Sequence, residues 1–178
     1  MSIQTKSKAK DRFHSFTGVS FGKISCAQYY VDFYVWEAVL NAMDEIEAIV
    51  EIGTFHGGFS RYLAAQAQIR GSIFRTYDVM EPETKVPGFV KLDVFAHADE
   101  VLEFLLSCRP FICLCDGGNK ARELKTFASA LDHDSIIAVH DWGSEVTPPD
   151  VPEGLEDAFG DFCDELGSAT RFFRRSDG

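Results

Sequence analysis

Two aspartates follow short apolar runs in the second half of the chain. Asp116 comes directly after Phe111-Ile112-Cys113-Leu114-Cys115, and Asp141, preceded by His140, follows Ser135-Ile136-Ile137-Ala138-Val139. If both runs are strands of one parallel sheet, their carboxylates reach the same rim of a crevice. Two acids so placed either raise each other's pKa or share a cation, and oxygen ligands select Mg²⁺, Mn²⁺ or Ca²⁺. An imidazole from His140 moves that preference towards Mn²⁺, Fe²⁺ or Zn²⁺. The alternative is that both are ordinary strand-end aspartates capping their own loops. Gly117-Gly118-Asn119-Lys120 follows Asp116, and glycines there leave room for a bound molecule. Lys120 is a candidate general base if desolvation and a nearby cation lower its pKa; if solvated, it simply begins the next helix. Asn119, His140 and His56 are the other polar candidates for this cleft.

A second constellation lies earlier, in Glu51-Ile52-Gly53-Thr54-Phe55-His56-Gly57-Gly58. It reads as a strand, a glycine bend and the start of a helix. Backbone without side chains admits a polar ligand closely, and the amino end of a helix offers unpaired N–H donors. Glu51, Gly53, Thr54 and Gly57 are therefore expected to contact a cofactor, with Glu51 facing its cationic end. The spacing departs from the dinucleotide G-x-G-x-x-G pattern, and the Lys-Ser/Thr of a phosphate-binding loop is missing. Asp78 closes the next strand, where doubly wound folds place the acid that accepts hydrogen bonds from ribose hydroxyls. Asp93, at the end of a third strand, either lies beside an adenine or caps a helix.

The remaining pattern supplies the elements that would hold these residues. Tyr29, Phe33, Trp36, Leu40 and Met43 recur at helical spacing and define one apolar stripe. Strands are expected at 46–52, 72–77, 89–92, 111–115 and 135–139, and helices at 60–69 and 101–106 and around Leu124, Phe127, Ala128 and Leu131. After the Pro148, Pro149 and Pro152 loop, Leu155, Phe159, Phe162, Cys163 and Leu166 read as an amphipathic helix, and 170–173 as a last strand at the sheet edge. This alternation predicts an α/β fold: a doubly wound, mostly parallel sheet with helices on both faces, in one domain over residues 21–178. Residues 1–20, with Lys6, Lys8, Lys10 and Arg12 and no apolar period, read as a loose arm.

Bulk properties narrow the function classes. Apolar residues are 46% of the 178, enough for one core, and a net charge of −11 disfavours a nucleic-acid backbone as partner. Five cysteines, an odd number without metal-ligand spacing, are the usage of a reduced compartment, with Cys113 and Cys115 as core packing. No apolar run approaches the roughly 18 residues of a membrane span. A cytoplasmic protein acting on a small molecule is expected, and a homo-oligomer is compatible with this.

With these motifs in place the chain resembles a class I S-adenosylmethionine-dependent methyltransferase. It is most similar to the cephalosporin hydroxylase-like and macrolide sugar O-methyltransferase branch. The resemblance spans residues 20–142, and 50–58 is its most specific piece. It implies a Rossmann-like methyltransferase fold, S-adenosylmethionine as cofactor and a small-molecule hydroxyl as methyl acceptor, assisted by Mg²⁺ or Mn²⁺. Carried onto this chain, Glu51, Gly53 and Gly57 would contact the methionine part, Asp78 the ribose, and Asp116 and Asp141, with His140 beside them, the metal. Two positions depart from the branch. His140 stands where the first acid of a pair is usual, and Asn119 stands where a catalytic histidine or lysine is usual, with Lys120 one place later. The branch's terminal antiparallel pair of strands is expected to be shortened. A nicotinamide-dependent oxidoreductase and a methyltransferase-like binding module without turnover are the rival readings.

Overall fold

The computed structural model describes residues 19–176. Of the expected arm, residues 1–18 lie outside the described residues; Val19 is buried and the chain then forms a hairpin of β1 (Ser20–Phe21) and β2 (Ile24–Ser25). The helix α1 (Tyr30–Ala42) leads into β3 (Ala48–Ile52), α2 (Gly58–Arg70), β4 (Ile73–Asp78) and β5 (Phe89–Lys91). Then come α3 (Ala98–Ser107), β6 (Phe111–Cys115), α4 (Lys120–Phe127), β7 (Ile136–Val139), β8 (Leu155–Asp157), α5 (Gly160–Leu166) and β9 (Arg171–Arg175).

Seven strands form one sheet in the order β5-β4-β3-β6-β7-β9-β8. The first five are parallel to one another, and β9 and β8 are antiparallel additions. The order reverses between β3 and β6, which is the switch point where open α/β sheets bind ligands. Residues of β3 and β6 are buried on both faces, so these strands lack polar alternation. One core, with α3 and α4, takes Val50, Ile52, Cys113, Cys115 and Val139; the other, with α1 and α2, takes Ile49, Ile112, Leu114, Ala138 and Phe172. Cys113 and Cys115 are thus core residues, and Trp36 is fully buried.

Three expectations change. Leu155 belongs to the strand β8, because it lies opposite Arg175 in the antiparallel ladder with β9; the helix begins only at Gly160. β9 lies inside the sheet, between β7 and β8, and β8 is the edge. On α1 the most buried face is Val31, Asp32, Val35, Trp36, Val39 and Leu40, while Tyr29, Phe33 and Met43 pack at its margin. The terminal antiparallel pair is present but short, with three residues in β8 and five in β9. No described helix is long and apolar enough to cross a membrane.

The hairpin is docked on the first residue of α2. A Cβ on Gly58 would collide with the carbonyls of Ile24 and Ser25 and with Cys26 Sγ. Gly58→Ala is therefore expected to lower the free energy of unfolding by about 1–3 kcal/mol, the usual cost of overpacking. A denaturant midpoint equal to that of the unaltered protein would show that the hairpin is not packed there.

Candidate active site

Strand register explains how distant residues meet. Ile52 pairs with Tyr77 on one side and Cys115 on the other, and Cys115 pairs with Val139. The next residues, Gly53, Asp78, Asp116 and His140, consequently stand at one level on the carboxyl rim. The ladder continues one step further, with Gly53 N donating to Tyr77 O at 2.8 Å and Asp116 N to Ile52 O at 2.9 Å. Above this rim lies a cavity of about 530 Å³. Gly53, Asp78 and Asp93 line one part of it, and Asp116, Asn119, Lys120, His140 and Asp141 another. Tyr77, Val79, Leu92, Val94 and Phe95 give the first part apolar walls. Two non-glycine residues on this rim, Phe55 at φ 47° and Asp141 at φ 57°, adopt left-handed backbone; such conformations cluster at functional sites.

The glycines have a different reason from the expected one. A Cβ on Gly53 would strike the backbone of Asp116 and Gly117, and one on Gly57 would strike Val86. Both are also at positive φ, 98° and 82°. Protein packing therefore requires these glycines; Gly53 in addition borders the cavity, whereas Gly57 does not.

The other expected cofactor residues divide between two spaces. Asp78 borders the cavity while its carboxylate accepts Phe55 N and Met80 N, both at 3.0 Å. Asp93 also borders the cavity, and it caps the turn before α3 by accepting Phe95 N at 2.9 Å and Ala96 N at 3.2 Å. Glu51, Thr54, His56 and Gly57 line a recess of about 20 Å³ beside the cavity, with Gly53 and Asp116 common to both. Glu51 points to the α1/α2 side of the sheet and is 1% exposed. It accepts a hydrogen bond from Thr76 Oγ1 at 2.6 Å, and the Thr54 hydroxyl lies 2.7 Å from that oxygen. Burial pushes the Glu51 carboxyl up to about 8, against the hydrogen bonds from Ser60 and Thr76 that favour its charge. This favours the protonated carboxyl near neutral pH as long as no cation faces it.

The second constellation assembles as expected. Asp116, His140 and Asp141 each present an atom within 4.8 Å of the others. His140 Nδ1 lies 3.4 Å from Asp116 Oδ1 and 3.4 Å from Asp141 Oδ1, and Nε2 lies 3.8 Å from Asp32 Oδ2. Lys120 enters the same cluster. Its Nζ is 2.8 Å from Glu145 Oε2, 3.1 Å from Asp141 Oδ2 and 3.6 Å from Asp116 Oδ1.

The protonation pattern follows. Burial opposes charge on Lys120, yet Glu145, Asp116 and Asp141 overcome it and raise its pKa above the ordinary lysine value. The base role that sequence leaves open for Lys120 needs the opposite shift, so Lys120 acts as an ammonium. Burial also opposes charge on His140, but hydrogen bonds to Asp116, Asp141 and Asp32 hold its pKa well above the usual imidazole value. Asp141 is held low, first by the His140 hydrogen bond. Asp116 moves up because burial outweighs His140 and Lys120. Asn119 is the cap of α4, its side chain accepting Arg122 N at 3.1 Å, which accounts for an asparagine there without a catalytic role.

The three groups are close enough for a divalent ion, but their charges do not fit one. The nitrogen of His140 that a metal would need as a lone pair, Nδ1, is the one facing both carboxylates, and those acids favour its protonated form. The Lys120 ammonium is already against the same two acids. Unit charges about 4 Å apart interact by about 4 kcal/mol at an effective dielectric near 20, and a dication beside the ammonium would meet twice that.

Several members of the site gave little signal in the sequence. Gln28 donates to Asp116 Oδ2 at 2.6 Å. Glu123, buried, accepts Gly117 N at 3.1 Å and Asn119 N at 3.2 Å and so folds the loop after β6. Asp32 accepts Tyr29 N at 2.9 Å and Ser168 Oγ at 2.7 Å beneath His140. Asp32 alone was detectable, as one acid among the apolar positions of α1.

No family model matches the chain, and no curated protein matches it in sequence. Solved structures share its architecture. CmcI without ligand superposes with a TM-score of 0.58 at 15% identity over 71% of this chain, which spans 58% of that one. CmcI with SAH gives 0.63 at 13% identity, over 98% of this chain and 92% of that one. A mutant of MtNAS in complex with S-adenosylmethionine gives 0.54 at 15% identity, over 82% of this chain and 61% of that one. The chain thus has the fold of the class I S-adenosylmethionine-dependent methyltransferases. On that fold its rim carries an ammonium, an imidazole and two aspartates where the resemblance implied a metal.

The state of Glu51 can be checked through stability. Its pKa is about 8 in the fold against 4.5 unperturbed, so the folded form binds the extra proton between these values and stability falls as pH rises from about 4.5 to about 8. Glu51→Gln is expected to flatten this slope and to exceed the unaltered protein in stability at pH 8 by on the order of 1 kcal/mol or more. Parallel pH profiles of unfolding for the two proteins would show that Glu51 is ionised in the fold.

Proposed function

We propose that the protein transfers the methyl group of S-adenosylmethionine to a hydroxyl oxygen of a small molecule. The observation that carries this reading is the division of one cavity at the switch point: acids and apolar walls at β4 and β5, a polar charged cluster at β6 and β7. In this reading Asp78 would accept from ribose hydroxyls and Asp93 would meet an adenine edge, with Tyr77, Leu92 and Phe95, which line the same cavity, enclosing the base. The neighbours with SAH and with S-adenosylmethionine support this choice of cofactor.

At the other end the acceptor hydroxyl would lie against the cluster. The methyl carbon leaves sulfur with its bonding pair remaining on sulfur, and forms a bond to the acceptor oxygen, whose proton must depart. Asp116, raised by burial and bordering the cavity, is the carboxylate best suited to take that proton. Asp141, held low, and Lys120, held as a cation, instead shape the field around the oxygen. The transfer removes the sulfonium charge, so much of the rate should come from alignment of the methyl carbon with the acceptor oxygen. The acceptor belongs to the small-molecule class, the partner expected of a net charge of −11, and a cytoplasmic setting fits five cysteines that are all free. A binding module without turnover is favoured by one feature, the commitment of Asn119 to capping.

Calorimetric titration with S-adenosylmethionine and S-adenosylhomocysteine is expected to show binding to both, weakened about 10- to 100-fold by Asp78→Ala, the loss expected of hydrogen bonds to a charged group. Binding to neither would end the proposal. Asp116→Asn is expected to keep cofactor affinity within about threefold while lowering turnover by about 100-fold or more. Cofactor binding with no methyl transfer to any hydroxylated acceptor would select the binding module.

A further inference from the structure

We infer that Lys120 is the built-in cation of the acidic cluster and that its ammonium stands where a divalent metal would otherwise bind, so that the site operates without one. The inference concerns the same site as the proposed methyl transfer and rests on that reading only for the identity of the acceptor.

Four features lead to it. Lys120 is the first residue of α4, and its side chain is only 7% exposed although it ends in a charge. Burying an ammonium is costly unless carboxylates surround it, and here three do, from two different segments: Asp116 after β6, and Asp141 and Glu145 in the loop after β7. The carbonyl of Gly117 supplies a further acceptor at 3.3 Å. The donors of the ammonium are therefore divided among oxygens that a hard cation would also choose. Finally, His140 directs Nδ1 at the two acids from the sheet side, so the carboxylates lie between two nitrogen groups and border the cavity.

Unlike a bound ion, a lysine is tethered. Its position is set by α4, whose start is held by the Asn119 cap and by Glu123 binding the preceding loop. Lys120 also borders the cavity, where it can donate to an acceptor oxygen as charge develops on it. It supplies an orienting positive charge with no metal to recruit, and it takes no proton.

Direct Mn²⁺ binding tests this without reference to turnover. Electron paramagnetic resonance of free Mn²⁺ is recorded while the intact protein is added, with and without S-adenosylhomocysteine. The unaltered protein is expected to leave the free Mn²⁺ signal unchanged. Lys120→Met uncovers the carboxylates and is expected to gain one Mn²⁺ site, which the added change Asp116→Asn removes; Lys120→Arg, keeping a cation, gains none. Binding of Mn²⁺ to the unaltered protein that Asp116→Asn abolishes would overturn the inference. So would a Lys120→Met protein with native circular dichroism that binds no Mn²⁺, since the cluster would then lack the geometry of a cation site. Should Lys120→Met fail to fold, the unaltered protein still decides: no Asp116-dependent Mn²⁺ binding supports the inference, and such binding refutes it. Where methyl transfer is measurable, chelator is expected to leave the unaltered rate within about twofold, and loss of cofactor binding would count against the proposed function alone.

Discussion

The arrangement of this site depends on how closely the ends of β3 and β6 approach. The backbone of Asp116 and Gly117 runs through the space a side chain at Gly53 would fill, and Gly53 itself bends at φ 98°. Any Cβ at Gly53 would force β3 and β6 apart where the ladder is completed by the Asp116 N bond to Ile52 O. Separation there would tilt Asp116 out of register with His140 on one side and with Asp78 on the other. A cavity lined by residues from five parallel strands thus hangs on one missing methyl group. The absence of that group serves packing first, and access to the cavity follows from it.

Charge is the second constraint, and it couples the rim to parts of the chain that have no other reason to meet. Asp116 and Asp141 cannot both remain ionised in a half-buried site without cations. The cations come from α4 and from β7, as Lys120 and His140, and each is itself held by a further acid, Glu145 and Asp32 respectively. Asp32 is in turn tied through Ser168 to the loop before β9. The two antiparallel strands at the end of the sheet therefore do more than complete its edge, because the loop leading into β9 helps fix the imidazole beside the cavity.

Much of the fold was legible in the sequence because it rests on local periodicity. The parallel strands read as apolar runs, and the strand-end acids Asp78, Asp93, Asp116 and Asp141 all reached the cavity, a consequence of strand direction alone. What was not legible depends on partners distant in sequence. Leu155 fits a helical stripe equally well, and only pairing with Arg175 makes it a strand residue. The ionisation of Glu51 and Lys120 could not be read from residue type, since burial raises the pKa of Glu51 against the hydroxyls beside it, whereas acids from other segments raise that of Lys120 against burial. Gln28 and Glu123 carry no periodic signal at all; they matter because loops bring them to Asp116 and Gly117.

Neutral Glu51 and cationic Lys120, on opposite sides of Asp116, give the rim a graded polarity. On the recess side a protonated carboxyl lies within a network of hydroxyls from Thr54, Thr76 and Ser60, which accommodates a polar group without fixed charge. On the side towards β7 two cations press upon the carboxylates. A cationic ligand arriving in the recess would favour ionised Glu51 and lower its pKa, whereas an oxygen acquiring negative charge would be drawn towards Lys120. The place that would gain from positive charge and the place that would gain from negative charge thus share Asp116 as a common wall. The proposed transfer of a methyl group from sulfur to oxygen would run between two such places, and that polarity, more than any single residue, would suit the rim to it.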